Sequence, residues 1–337
     1  MSDRATVSHA HDDGIRARLF DADEPDRRLD DDRELLQLEP TDRQLLWIDV
    51  TGDAQADAGR IVEHLALQPR TRAALERQGS GPLIAVHRDY LHVRLAADPS
   101  DRDPGQTGWI DIIAGHNVVI TRHERAIPFL ADVDERIEAD AAAGILSATA
   151  FFTALVDAAI TSYHAAVDEI EEDVDRLDAE SLRGNSGDQL LGDLVRCRRR
   201  IARLRRLLAD HRGIFTALAS PEVGRLVEPD EDAATLLQGL STRFDGAMGA
   251  VEDARDALLG SFDVYMSRTA QRTNEVMKIL TIATVLLLPG SVIAGLLGMN
   301  VVVPLNKDDP TSFWLVLGGV LVLATVVIVF ARIRRWI

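Results

Sequence analysis

Hydrophobic and polar positions fall into three regimes along the chain. Up to about residue 125, short runs of β-branched and other apolar residues alternate with polar stretches. LLWIDV (Leu45 to Val50), PLIAVHRDYLHVRLA (Pro82 to Ala96) and GWIDIIAGHNVVITRH (Gly108 to His123) read as strands, the last two as hairpins. In the last, Gly115, His116 and Asn117 interrupt two β-rich runs as a tight turn does. With a helical pattern from Asp57 to Gln78 between strands, residues 1–125 are expected to form an α/β layer domain. From about Ile127 the β signals cease. Helical periodicity runs through Thr149 to Glu180 and Gln189 to Leu218, broken by RGNSGD at Arg183 to Asp188, which predicts a long helical hairpin within 126–228. After Pro229 no proline occurs until Pro289. One stalk helix over 229–278 that continues into the apolar segment would hold about 60 residues and span about 90 Å. Gly239, Gly246, Gly249 and Gly260 each cost it only about 1 kcal/mol relative to alanine.

The third regime is apolar. ILTIATVLLLPGSVIAGLLGMN (279–300) and Phe313 to Phe330 each approach the about 20 residues a bilayer span requires. They are joined by a connector, 301–312. The fold class is therefore an α+β membrane protein with a large water-facing part and two C-terminal transmembrane helices, 279–300 and 313–331. Lys278 precedes the first span and Arg332, Arg334 and Arg335 follow the second in the tail 332–337, whereas the connector sets Lys307 against Asp308 and Asp309. This asymmetry puts both termini in the cytoplasm and the protein in the cell membrane. The N-terminus lacks the apolar core of a secretory signal.

A net charge of -17 argues against nucleic acid as a partner and favours attraction of cations. The single cysteine, Cys197, excludes an intramolecular disulfide framework and reads as a helix residue. No zinc spacing, phosphate-binding glycine loop or nucleophile elbow occurs, so the chain offers no enzyme active site. His9 and His11 with Asp12 and Asp13 read as a polar terminus before a metal site. The acids of Asp168 to Glu180 and the arginines from Arg196 to Arg206 read first as charges that pair across the hairpin, and second as a cation-attracting surface.

Within the first span, steps of four and three place Met277, Thr281, Thr284, Leu288, Ser291 and Gly295 on one stripe. Such a stripe serves a pore or a close helix contact, and spacing alone leaves both open. A pore requires several copies, since two spans cannot enclose a water-filled path. Pro289 removes one donor and frees the Val285 carbonyl. At the outer end, a ring of Asn300 amide oxygens is suited to bonding the water shell of a cation that dehydrates reluctantly, as Mg2+ does.

Gly298, Met299 and Asn300 at the end of the first span, approached through NEVMKILTIATVLLLP (Asn274 to Pro289), resemble the CorA family of magnesium channels. DVYMS (Asp263 to Ser267), WIDV and VVITRHE add to the likeness, which covers most of the chain. The resemblance implies a funnel-shaped homopentamer in the lipid bilayer, with Gly298, Met299 and Asn300 as selectivity filter. It also implies a pore lined by Asn274, Met277, Leu280, Thr284, Leu288, Ser291 and Gly295, of which Leu280 lies off the stripe read from spacing. Mg2+ is implied both as the transported ion and as a regulator bound by acidic residues between protomers, for which Asp245, Glu252 and Asp253 are the stalk candidates. Asp308 and Asp309 would flank the entrance, and Lys278, Arg332, Arg334 and Arg335 would form a basic collar at the inner mouth. The chain departs from the family in Leu297 and Val301 around the signature and in Val303 to Asn306 of the connector. Met299 favours magnesium over the zinc transporters of the same superfamily, while Co2+ and Ni2+ share the hydrated size. The alternatives are a zinc or other transition-metal transporter and a membrane-tethered sensor or scaffold without a pore.

Overall fold

The computed structural model describes residues 14–29, 32–35, 38–52, 67–76, 81–99, 107–133, 147–183, 188–221, 223, 231–298 and 310–333. Seven strands form one sheet: β1 (Ile15–Asp21), β2 (Arg27–Leu29), β3 (Gln44–Thr51), β4 (Leu83–Val86), β5 (Leu91–Asp98), β6 (Gly108–Ala114) and β7 (Val118–His123), in the order β2-β1-β3-β7-β6-β5-β4. Both expected hairpins are present, β4 with β5 and β6 with β7. The Gly115 N–H closes the second by donating to the Val118 carbonyl at 2.8 Å. β1 and β2 carry no clear strand signal in the sequence, because Arg16 and Arg18 interrupt the apolar run of the first and the second holds only three residues. Pairing is antiparallel except between β3 and β7.

Apolar residues lie on both faces of the sheet, so β3, β5, β6 and β7 read as nearly continuous buried runs rather than alternating ones. Ala17, Leu19, Leu46, Ile48, Val50, Ile113 and Ile120 share a cluster with Leu75 of helix α2 (Pro69–Glu76), after the short α1 (Asp32–Leu35). Of the helical pattern expected from Asp57 to Gln78, α2 is the part within the described residues. On the other face, Phe20 and Trp47 meet Phe151 edge to face at 6.4 and 5.2 Å. Register is pinned from within. Arg94 and Asp111 sit directly opposite one another and form a bidentate pair at 2.9 and 3.0 Å, with His92 on the same carboxylate at 2.8 Å. A slip by one residue would turn these groups to the other face.

The helical hairpin is α3 (Ala148–Leu182) and α4 (Asp188–Leu218), as the periodicity predicts. The first half of α3 is apolar enough to cross a membrane, but Phe151, Phe152, Leu155, Val156, Ala159 and Ile160 are fully buried, so it is a core helix. The next helix, α5 (Glu231–Gly298), is unbroken over 68 residues and carries Pro289 inside it. Leu237, Leu240, Phe244, Ala247, Val251, Ala254, Leu258 and Ser261 are its buried positions, a heptad seam in steps of three and four. Phe244 stacks on Phe215 of α4 at 4.0 Å and meets Tyr163 of α3 edge-on at 6.5 Å. Arg243 bonds Asp157 of α3, and Arg205 of α4 bonds Glu252, so α5 is tied to both hairpin helices.

His211 joins this bundle to the sheet. Its Nε2 accepts the Ala96 N–H at 3.0 Å while its Nδ1–H donates to the Leu207 carbonyl at 2.6 Å, and Trp109 stacks on the ring at 5.6 Å. The Tyr163 hydroxyl donates to the Ala96 carbonyl at 2.7 Å. The chain forms two compact units, one holding Met1–Asp178 with Leu191–Gly260 and the other Ala179–Leu190 with Ser261–Ile337. The last helix, α6 (Pro310–Ile333), belongs to the second.

Candidate ion pathway

The heptad seam of α5 ends at Ser261, and beyond it apolar side chains turn outward: Ile279 and Leu287 are each 69% exposed. On α6, Leu315 is 71% exposed. Such surface is unstable in water and is suited to lipid or to further protein. The two helices touch along one line. Within the span part of α5 the half-buried positions are Ile282, Ala283, Leu286, Pro289, Gly290 and Ile293, on one side of the helix, and on α6 they are Val316, Val320, Ala324 and Val327, in steps of three and four. Gly290 is the close approach, since a Cβ there would meet Cγ1 of Val320 at 3.8 Å. Counting twelve residues back from Gly290 reaches Lys278, and counting twelve on from Val320 reaches Arg332. In an antiparallel pair both cations lie at one end.

The polar stripe lies on the other side of α5. At about 100° per residue, Thr284, Leu288, Ser291 and Gly295 fall about 100° to 160° from Gly290, whereas Ile282, Leu286 and Ile293 fall within about 80° on its opposite flank. Met277, Leu280, Thr281, Thr284, Leu288, Ser291 and Gly295 are all exposed, and so is Asn274 one turn before them. By the same count Leu280 and Asn274 fall at the two edges of the stripe, which is why spacing alone left Leu280 out. The contact line with α6 has no signal in the sequence apart from Gly290, because its residues are as apolar as those facing lipid.

Thr281, Thr284 and Ser291 donate their hydroxyl hydrogens to the Met277, Leu280 and Leu287 carbonyls at 2.7, 2.8 and 3.0 Å. A hydroxyl has one hydrogen and two lone pairs. With the hydrogen turned into the helix, these oxygens face outward as acceptors, the polarity that waters around a cation require. The Val285 carbonyl, four residues before Pro289, lacks its helical donor. Gly298 closes α5, while Met299, Asn300, Asp308, Asp309, Arg334 and Arg335 lie outside the described residues.

Of the stalk acids, Glu252 is hydrogen-bonded to Arg205 and 3.4 Å from Arg255, and the Arg205 hydrogen bond holds its carboxyl below the usual glutamate range. Asp245 and Asp253 are exposed. Among the described residues no group of three or more His, Cys, Asp or Glu side chains is arranged to hold a metal.

The profile of the family described as "CorA-like Mg2+ transporter protein" matches residues 42–335. The chain is 24% identical to the cobalt/magnesium transport protein CorA of Thermotoga maritima, over 86% of this chain and 83% of that one. It is 30% identical to the divalent cation transporter CmaX of Pseudomonas aeruginosa, over 76% of this chain and 75% of the relative. Its fold matches the complete CorA magnesium transporter of Methanocaldococcus jannaschii with a TM-score of 0.75 and 17% identity, covering 96% of this chain and 99% of that one. A sheet domain, long helices, two exposed apolar helices and a family match over most of the chain therefore converge on one conclusion: the protein is a membrane protein of the CorA-like Mg2+ transporter family of divalent-cation transporters.

Proposed function

We propose that this chain assembles as a ring of five copies conducting Mg2+ into the cytoplasm, with α5 inside the ring and α6 outside. The observation that carries this reading is the exposed stripe from Met277 to Gly295, which faces away from α6 with hydroxyl oxygens outward. Around an axis, Asn274, Thr284, Ser291 and Gly295 form polar or narrow-walled rings, and Met277, Leu280 and Leu288 form apolar constrictions that gate by dewetting. Gly298, Met299 and Asn300 form the outer filter. There an amide oxygen holds a hydrated ion without stripping its water, weakly enough to let it leave.

Asp308 and Asp309 flank the entrance, and Lys278, Arg332, Arg334 and Arg335 surround the inner mouth. Cytosolic Mg2+ binding between copies through stalk carboxylates closes the pore, with Asp245 and Asp253 exposed for that role and Glu252 released from Arg205 if it takes part. Both termini are cytoplasmic. Co2+ is a second cargo, because it forms a hexahydrated ion of similar size and the Thermotoga relative is named for both metals.

The test is flux into liposomes holding the purified full-length chain, with Mg2+, Co2+ and Zn2+ in parallel. Mg2+ entry that Co2+ inhibits, and that Asn300→Ala changes by about tenfold or more, an effect near 1.4 kcal/mol, fits the filter. Equal flux in Asn300→Ala sinks it. Preference for Zn2+ would move the chain to transition-metal transport, and absence of all flux from folded oligomers at low internal Mg2+ would leave a sensor or scaffold.

A further inference from the structure

One row of residues on α5, set in steps of three and four, is covered along most of the helix. It runs as the buried seam to Ser261, reaches the half-buried Tyr265, and is half-buried again at Ala283, Leu286, Gly290 and Ile293. Between these stretches the row is bare. Arg268, Arg272, Val276 and Ile279 are all exposed, Val276 by 58%. The contact line of α6 stops at the same level: Val327, its last half-buried position among the described residues, is seven on from Val320, as Ala283 is seven back from Gly290. Past Val327, Arg332 and Ile333 are exposed.

The bare stretch is amphipathic. Val276 and Ile279 continue the apolar span, whereas Arg272 and Arg268 lie about 6 Å and about 12 Å farther along the axis than Val276. Arg268, Arg272 and Ile279 fall within about 40° of Gly290 around the helix, away from the polar stripe. Lys278, half-buried, and Arg332, level with it on α6, flank the apolar floor. Glu275 is the one acid between Val264 and the span, so four cations meet one carboxylate in a chain whose net charge is -17. None of the four forms an ion pair with a described residue. A bilayer adds a headgroup layer of about 5–7 Å to each side of its hydrocarbon core. Arg272, Lys278 and Arg332 therefore stand at headgroup level, and Val276 and Ile279 at the edge of the acyl chains.

We infer that this notch holds an anionic phospholipid of the cytoplasmic leaflet, with an acyl chain against Val276 and Ile279 and the phosphate between Arg272, Lys278 and Arg332. Arg268 adds charge from one turn farther out, close to the screening length of about 8 Å at physiological ionic strength. Arginine suits the task because its planar fork bonds two phosphate oxygens at once. Basic positions beside membrane helices on the cytoplasmic side are where anionic headgroups bind, and a zwitterionic lipid, which brings its own cation, is bound less well. The inference rests on the two spans and on the cytoplasmic side proposed for Lys278, and not on the ring or the pore.

The test is native mass spectrometry of the full-length chain released from detergent micelles doped with dioleoylphosphatidylglycerol or dioleoylphosphatidylcholine. Phosphatidylglycerol is expected to be retained in preference, with its affinity falling about fivefold for each cation removed in Arg272→Gln and Arg332→Gln. Val276→Ser with Ile279→Ser is expected to weaken retention without any change of charge. Arg198→Gln with Arg212→Gln, at exposed arginines of α4, removes as much charge away from the notch and is expected to leave retention unchanged. Equal retention of the two lipids overturns the site, and so does a loss in the α4 control that matches the loss in the notch variants. Complete displacement by excess inorganic phosphate, with Val276→Ser and Ile279→Ser indifferent, would assign the notch to free phosphate and overturn the lipid. Selective retention without ion flux would keep the site and remove the pore, whereas flux without selective retention would keep the pore and remove the site.

Discussion

At the scale of single residues, His211 is the most consequential group that sequence reading passed over. Its two hydrogen bonds fix one neutral tautomer, and burial pushes its pKa below the ordinary histidine value, opposed by the Leu207 carbonyl and Asp210. Trp109 and Tyr163 enclose the rest of the ring, and Tyr163 keeps its proton because burial raises its own pKa. The sign follows. Folding favours the neutral imidazole, so its contribution is complete above the unfolded value of about 6.5 and is lost as pH falls from there toward the depressed folded value. His211→Gln, which retains an acceptor and a donor without titrating, is expected to flatten the loss of stability between about pH 7 and pH 5. Urea midpoints of the two proteins at each pH check this, and equal slopes would place the acid sensitivity elsewhere. Cys197 shows the opposite case of a group made inert: burial first, then Asp173, pushes its thiol up to about 11.

At the scale of elements, α5 is one helix with two environments. Up to Ser261 its seam is protein-covered, and Phe244 is fully buried between Phe215 and Tyr163. Phe244→Ala is expected to destabilise the first unit by about 3–5 kcal/mol, since the stacked rings around it cannot collapse into the space. A chemical-denaturation midpoint shifted by less than about 1 kcal/mol would show that the seam does not hold the helix in place. Past residue 278 the same helix bears exposed hydroxyl oxygens, their hydrogens returned to its own carbonyls, among exposed apolar groups, and it continues through Pro289. The elements themselves were largely legible. Both hairpins of the sheet, both helices of the long helical hairpin and the continuity of α5 follow from period and from the placing of proline. The first strand escaped because Arg16 and Arg18 break its apolar run, though Ala17 and Leu19 between them are buried.

At the scale of the whole molecule, the first unit has its own core on both faces of the sheet, while the second carries most of the large exposed apolar side chains. A fragment ending at Gly260 is therefore expected to remain soluble without detergent and to unfold cooperatively, as followed by circular dichroism during heating. Aggregation of that fragment, or a broad transition, would show that the first unit needs the rest of the chain. The net charge of -17 favours its solubility.

What the sequence determined by itself is what depends on local order: helix and strand periods, the lengths of two spans, the asymmetry of flanking cations, and the Gly298, Met299, Asn300 signature. The face of the first span was also readable, because Thr281, Thr284 and Ser291 mark it with hydroxyls at fixed spacing. Tertiary structure decided what covers the apolar half of α3, since that stretch also meets the length and composition of a span and only its packing shows it buried in the core. It decided that α6 lies against Gly290 and not against the stripe, a choice invisible where one apolar surface faces another. It also decided which charges pair and which remain free, because an ion pair across a hairpin depends on the register of two helices that no single segment specifies.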